Sequence, residues 1–140
     1  MKNQKNKQEY IANFERTDRF GSLMGAKIIS LSSDECIFEY TVSSNHYNPN
    51  GILHGGALFG IMDSSQGLFV HYILGDTYSG AVTGTATVKY LAPVREGIIR
   101  IRTFLKEHQG RKLFVNSVAT NVEGNEVAVL EEIWISILKK

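Results

Sequence analysis

The chain has 140 residues, enough for one domain with a full core and no need of disulfide staples. Its 15 basic and 14 acidic residues nearly balance, which argues against a nucleic-acid binder or a protein drawn to anionic membranes. The single cysteine, Cys36, excludes an internal disulfide and reads as a small core residue beside Ile37.

Residues Met1 to Gln8 are polar, carry three lysines and read as a frayed tail. No apolar run follows them, so a secretory signal is not expected. Tyr10, Ile11, Phe14 and Phe20 have the spacing of a short amphipathic helix over residues 9–20, which Gly21 to Gly25 should break. Two strands follow. Ala26 to Leu31 is apolar and β-branched, and Cys36 to Val42 alternates. Ser32-Ser33-Asp34-Glu35 forms the turn between them. Ser43 to Gly51 is loop, rich in Asn, Pro and Gly. From His54 to Leu74 the chain has helical length and no alternation, with Gly75 as a C-cap. This is also the longest apolar stretch. Asp63 and its glycines and serines make it a poor membrane span.

The second half reads as strands. Val82, Gly84, Ala86, Val88 and Tyr90 alternate with Thr83, Thr85, Thr87 and Lys89. Pro93 to Gly97 turns the chain. Ile99, Ile101 and Thr103 then alternate with Arg100, Arg102 and Phe104, and Gln109-Gly110 makes another turn. Leu113 to Val122 and Val127 to Leu138 form a last pair joined through Glu123-Gly124-Asn125. Short connections between successive strands predict one antiparallel sheet, which must bury a face on the single long helix. The fold class is α+β: a sheet of about six strands wrapped around one helix, a single domain over residues 1–140 with residues 1–20 as tail and short helix.

Between Glu39 and Asp76 the only Asp, Glu, Lys or Arg is Asp63. Its helix is apolar nearly all round, and so expected to be buried. An unpaired carboxylate there is costly, and burial disfavours its charged form. Either Asp63 works chemically or it lies on an exposed stripe with Ser64 and Gln66. At the helix start stands His54-Gly55-Gly56. Paired glycines let a ligand approach the backbone, and free N–H groups at a helix N-terminus suit a developing oxyanion. Gly55 and Asp63 are eight residues apart, which is about 12 Å along a helix. One reacting carbonyl cannot touch both on the same helix. If both act on it, they come from two chains of an isologous dimer with shared sites.

The segment Asn48-Pro-Asn-Gly-Ile-Leu-His54-Gly-Gly-Ala-Leu-Phe-Gly-Ile-Met-Asp63 resembles the signature of PaaI-type hotdog thioesterases: Asn, a short gap, His-Gly-Gly, then a carboxylate nine residues after the His. The resemblance continues through Ala81 to Gly97 and Gln109 to Phe114. It implies a hotdog fold and hydrolysis of acyl-CoA thioesters, with coenzyme A as part of the substrate and no cofactor or metal. It implies that Asp63 activates water or attacks the thioester carbonyl, and that the Gly55 N–H binds the thioester oxygen. Asn48 and His54 would orient water and support the oxyanion loop, and Thr83 would hold the nucleophilic water. Gly56, Ser64 and Thr85 would border the substrate. Arg95 is a candidate for the CoA phosphates, as are Lys89, Arg111 and Lys112. Ser64 and Gly67 stand where some relatives place Asn, Thr or Ala. The family also implies a homodimer that commonly pairs into a tetramer, and the expected location is the cytoplasm.

Two rivals share the fold. A hydratase or dehydratase would pair a His, such as His46, with the acid. A non-catalytic acyl-CoA sensor would keep the groove without turnover. A Ser-His-Asp triad from Ser64 or Ser65 with His71 and Asp76 lacks the Gly-x-Ser-x-Gly elbow. His46, His54, His71 and His108 lack metal-ligand spacing.

Overall fold

The computed structural model describes residues 4–140, with side chains from residue 7 onward. Helix α1 runs Gln4–Thr17 and α2 runs Arg19–Met24. Strands β1 (Lys27–Leu31) and β2 (Cys36–Thr41) lead through a 3-10 turn, Ser44–His46, to the long helix α3 (Gly55–Leu74). Strands β3 (Tyr78–Tyr90), β4 (Ile98–Gln109), β5 (Lys112–Thr120) and β6 (Glu126–Leu138) complete the chain. The six strands form one antiparallel sheet in the order β1-β2-β4-β5-β6-β3. This is the expected α+β hotdog arrangement, with α3 packed on the sheet.

The burial of α3 follows its sequence. Leu58, Ile61, Met62, Leu68, Phe69, Val70 and Tyr72 are buried, and they meet Phe38, Tyr40, Ile99, Ile101, Val115 and Leu130 of the sheet in one core. Phe69 and Tyr72 are therefore core residues, with Tyr72 edge-on to Tyr10 at 5.7 Å. Gly75 ends the helix at φ 80°, a conformation that disfavours a side chain. Cys36 is a buried core residue, and burial pushes its thiol up to about 12.

The N-terminal region differs from its reading. The first helix begins at Gln4 and ends at Thr17, so its start lies within the stretch read as frayed. Gln and Lys favour helix without apolar periodicity, so the early turns leave no signal for a periodicity argument. The break falls at Asp18 rather than at Gly21, which lies inside α2 with Asp18 packed against its α-carbon. Tyr10, Ile11 and Phe14 pack on the core as their spacing implies. Phe20 lies over Gly60 of α3, where a Cβ would come within 2.5 Å of its ring.

β3 is an edge strand with a bulge between Thr83 and Thr85. The bulge shifts the alternation. Thr83 pairs with Trp134 and Ala86 with Glu132, both on the helix-facing side, whereas Thr85 pairs with Ile133 on the other face. No helix of the described residues is long and apolar enough to cross a membrane.

Candidate active site

The site forms along the gap between α3 and β3. Its first end is the start of α3. His54 is the N-cap, and its Nδ1 accepts the Gly56 N–H at 2.8 Å. Its carbonyl accepts the N–H groups of Ala57 and Leu58 at 3.0 and 3.2 Å. An α-helix starts with four N–H groups that lack partners within the helix. The Leu58 bond is the helix's own first i→i−4 bond; of the four, the Gly56 and Ala57 N–H groups are satisfied by His54 and the His54 N–H by the His46 carbonyl at 2.9 Å. The Gly55 N–H meets no acceptor among the described residues and is the one donor left open.

Both glycines sit tightly against a neighbouring ring. A Cβ on Gly56 would lie 2.9 Å from His54 Cε1, and one on Gly55 would lie 3.0 Å from Tyr90 Cζ. Tyr90, on the helix-facing side of β3, donates its hydroxyl to the Gly55 carbonyl at 2.7 Å. It was not among the residues expected at the site. The signal available for it was its parity with Ala86 and Val88 on β3.

The preceding loop is pinned. Asn48 Oδ1 accepts the Asn50 N–H at 2.9 Å and the Ile52 N–H at 3.4 Å, so this side chain organises its own turn. Leu53 N–H reaches the Val94 carbonyl at 2.8 Å, and Tyr47 donates its hydroxyl to the Arg95 carbonyl. Asn48, Leu53, Gly55, Leu58, Tyr90 and Val94 border a cleft of about 360 Å³ whose far wall is Leu91 to Pro93. Exposed Arg95 follows Val94 in the chain. No carboxylate lines this cleft.

The second end is Asp63, two turns further along α3. Its Oδ1 accepts the Thr83 hydroxyl at 3.3 Å, so the structure brings these two predicted residues together. Thr85, on the opposite sheet face, is not brought to Asp63 by this chain. Ser64 turns the other way and donates to Asp18 Oδ1 at 3.3 Å. Asp63 is half-buried.

The deeply buried carboxyl is Glu132 on β6, only 2% exposed. Neither of its oxygens has a well-formed hydrogen bond, although Asp63 and the Trp134 indole stand close enough to act on its charge. Burial first, then the adjacent Asp63, pushes its pKa up to about 9. Both causes favour its neutral form. Sequence reading missed it because Glu131-Glu132 looks like an ordinary exposed pair. Its parity with Leu130, Trp134 and Ser136 on β6 was the available signal.

Behind Glu132 a buried polar chain is fully paired. Trp134 donates to Gln66 Oε1 at 2.9 Å, Gln66 Nε2 donates to Ser117 Oγ at 3.0 Å, and Thr103 links Ser117 to Ser65. Ser65 is thus committed to the core, and His71 Nδ1 meets the Gly67 carbonyl at 2.7 Å, so no serine triad assembles. His46 Nδ1 pairs with the Tyr40 hydroxyl, and the two rings stack at 5.7 Å. Among the described residues no three His, Cys, Asp or Glu side chains cluster as metal ligands.

Known structures share this architecture. The PaaI protein of the Escherichia coli phenylacetic acid degradation operon superposes with a TM-score of 0.84 at 18% identity, covering 93% of this chain and 92% of that one. A conserved Pseudomonas aeruginosa protein gives 0.79 at 24% identity, covering 85% and 94%. A Streptococcus mutans protein bound to acetyl CoA gives 0.74 at 22% identity, covering 82% and 90%. At these identities the likeness is one of fold. No curated protein sequence matches the chain. The family model described as "Thioesterase superfamily" matches residues 50–128, from the loop before His54-Gly55-Gly56 into β6. With more than half its length matched by that model, and the expected fold around the motif, the chain belongs to the thioesterase superfamily.

Proposed function

We propose that the protein hydrolyses acyl-CoA thioesters to free acid and CoA, as a homodimer whose two sites each draw on both chains. The observation that carries this reading is the division of the machinery along α3. The open Gly55 amide and the Asp63 carboxylate lie on one helix about 12 Å apart, and the cleft beside Gly55 has no carboxylate of its own. A second chain, related by a twofold axis, supplies the missing group to each cleft. The exposed edge of β3 supports the same assembly, because a long unpaired edge is a ready pairing surface. Pairing of such dimers into tetramers and a cytoplasmic location remain part of this proposal.

The chemistry follows from the groups. Asp63 of one chain takes a proton from water, and the resulting hydroxide adds to the thioester carbonyl carbon. The carbonyl oxygen gathers negative charge and receives the Gly55 N–H of the other chain. The C–S bond then breaks, and the departing thiolate takes the proton from Asp63. One such donor is worth about 2.7–4 kcal/mol. Thr83, on Asp63, is placed to hold the water. Direct attack by Asp63 on the carbonyl uses the same groups and differs in forming a mixed anhydride. His54 serves by consuming the competing Gly56 donor, and exposed Arg95, next in the chain after the cleft-lining Val94, is the candidate for the CoA phosphates.

The test is thiol release from a panel of acyl-CoAs by wild type and Asp63→Asn. Wild type should turn over at least one member, and the variant should lose at least about 10²-fold in kcat with binding retained. Equal turnover in the variant would refute the role of Asp63. Binding without turnover by wild type would favour the sensor.

A further inference from the structure

Glu132 is a carboxyl group in a place that does not suit one. It is 2% exposed, and its two oxygens lack well-formed partners. The side chains packed around it can be taken element by element. From β5 its pairing neighbour is Val115, and from β3 it is Ala86, with Thr83 further along; none is charged. On β6 the neighbours on its face are Leu130 and Trp134, while Glu131 lies on the opposite face and is exposed. α3 contributes Gln66 and Asp63, with His71 beyond the far side of Trp134 at a ring separation of 6.5 Å. No lysine or arginine faces Glu132 from any of these elements.

Gln66 cannot serve Glu132, because its carbonyl oxygen is taken by Trp134 and its amide donates to Ser117 and the Leu130 carbonyl. The ionisable group left beside Glu132 is Asp63: the Thr83 hydroxyl ties it to the inward pair Thr83–Trp134, and the next inward pair of the same two strands is Ala86–Glu132. Two carboxyls this close, with no cation between them, cannot both ionise cheaply, and one proton between them relieves the repulsion.

We propose that Glu132 is a positioning residue: it shares one proton with Asp63 and so holds the Asp63 carboxylate steady from beneath, while Thr83 holds it from the β3 side. This rests on the thioesterase reading above. A carboxylate has about four acceptor positions. Thr83 occupies one, the proton shared with Glu132 takes a second, and the rest are left for water. When Asp63 takes its proton from water, the pair goes from one proton to two and both groups become neutral. Glu132 thus carries no charge in its buried place at any stage of the cycle. Above its titration point, both groups ionise and the hold is lost.

The test combines two measurements on the intact, assembled protein. Carboxyl-carbon NMR titration of wild type and Asp63→Asn reads the pair directly and needs no turnover. Glu132 should be protonated at neutral pH, and Asp63→Asn should move its titration toward lower pH by removing the neighbouring charge. Glu132 ionised at neutral pH, or titrating identically in both proteins, would overturn the proposal.

The second measurement is the pH profile of kcat/KM for wild type, Glu132→Gln and Glu132→Leu. Glu132→Gln keeps an N–H donor and no titration, so it should stay within about 10-fold of wild type at neutral pH and lose the alkaline fall in rate. Glu132→Leu should lower kcat by more than about 10-fold with KM little changed. An alkaline limb retained unchanged in Glu132→Gln would mean that Glu132 is purely structural. If wild type turns over no acyl-CoA, the functional reading fails, while the NMR titration still decides whether the proton is shared.

Discussion

β5 and β3 both pair with β6, yet they are built differently. β5 lies between β4 and β6 and alternates throughout: Leu113, Val115, Ser117 and Ala119 are buried, and the residues between them are half-buried. β3 has one paired side. Most of it is exposed, Val82 at 55%, and a bulge reverses its alternation midway. β5 is complete within one chain, whereas β3 presents backbone and apolar side chains that the chain itself does not cover. The residues of functional interest follow the same division. Thr83 and Tyr90 are on β3 and none is on β5, so the less finished part of the sheet is also the part facing the site.

Experiments on the two strands can sharpen or break this contrast. Leu113→Ala, in the complete strand, should cost about 2–5 kcal/mol of stability in urea unfolding, through a cavity that no partner chain can fill. Val82→Glu should leave the monomer fold intact and shift sedimentation from dimer to monomer, with turnover falling alongside the dimer fraction. A monodisperse, active Val82→Glu monomer would remove the case for shared sites.

Glu132, on the strand between them, gives a smaller, pH-dependent effect. Its folded pKa lies above the unfolded value of 4.5, at about 9. Between those values the native state holds a proton that the unfolded chain has lost, so stability falls as pH rises through this window. Urea unfolding of wild type should show that fall, and Glu132→Gln should flatten it. The smallest effect is expected of Tyr90→Phe, which removes a half-exposed bond to the Gly55 carbonyl. It should cost about 0.5–1.5 kcal/mol or less and raise KM or lower kcat only a few-fold.

The same contrast explains what could be read from the sequence. The β5 alternation and the apolar α3 report burial directly, because each position meets the interior of its own chain. Asp63 was legible because its whole neighbourhood is uncharged. The pair of threonines was not, since an isolated glycine in a strand signals a bulge without saying which way the register moves; Gly84 put Thr83 and Thr85 on opposite faces. The burial expected of Asp63 belongs instead to Glu132, since a strand's inward parity depends on its sheet neighbours, which lie far away in the sequence. Gln4 to Gln8 carries no periodicity, so only propensity spoke for its helix.

The start of α3 has a consequence for what can leave the site. Helix beginnings usually grip anions by offering several amides at once. Here three of the four are already taken, two by His54 and the N–H of His54 itself by the His46 carbonyl, and a ligand finds a single amide. One amide suits one oxygen, the atom that changes character as a thioester is attacked. The free acid product has two oxygens and a full charge, and finds no second amide to hold it. If α3 assists hydrolysis as proposed, it gives the product little reason to stay.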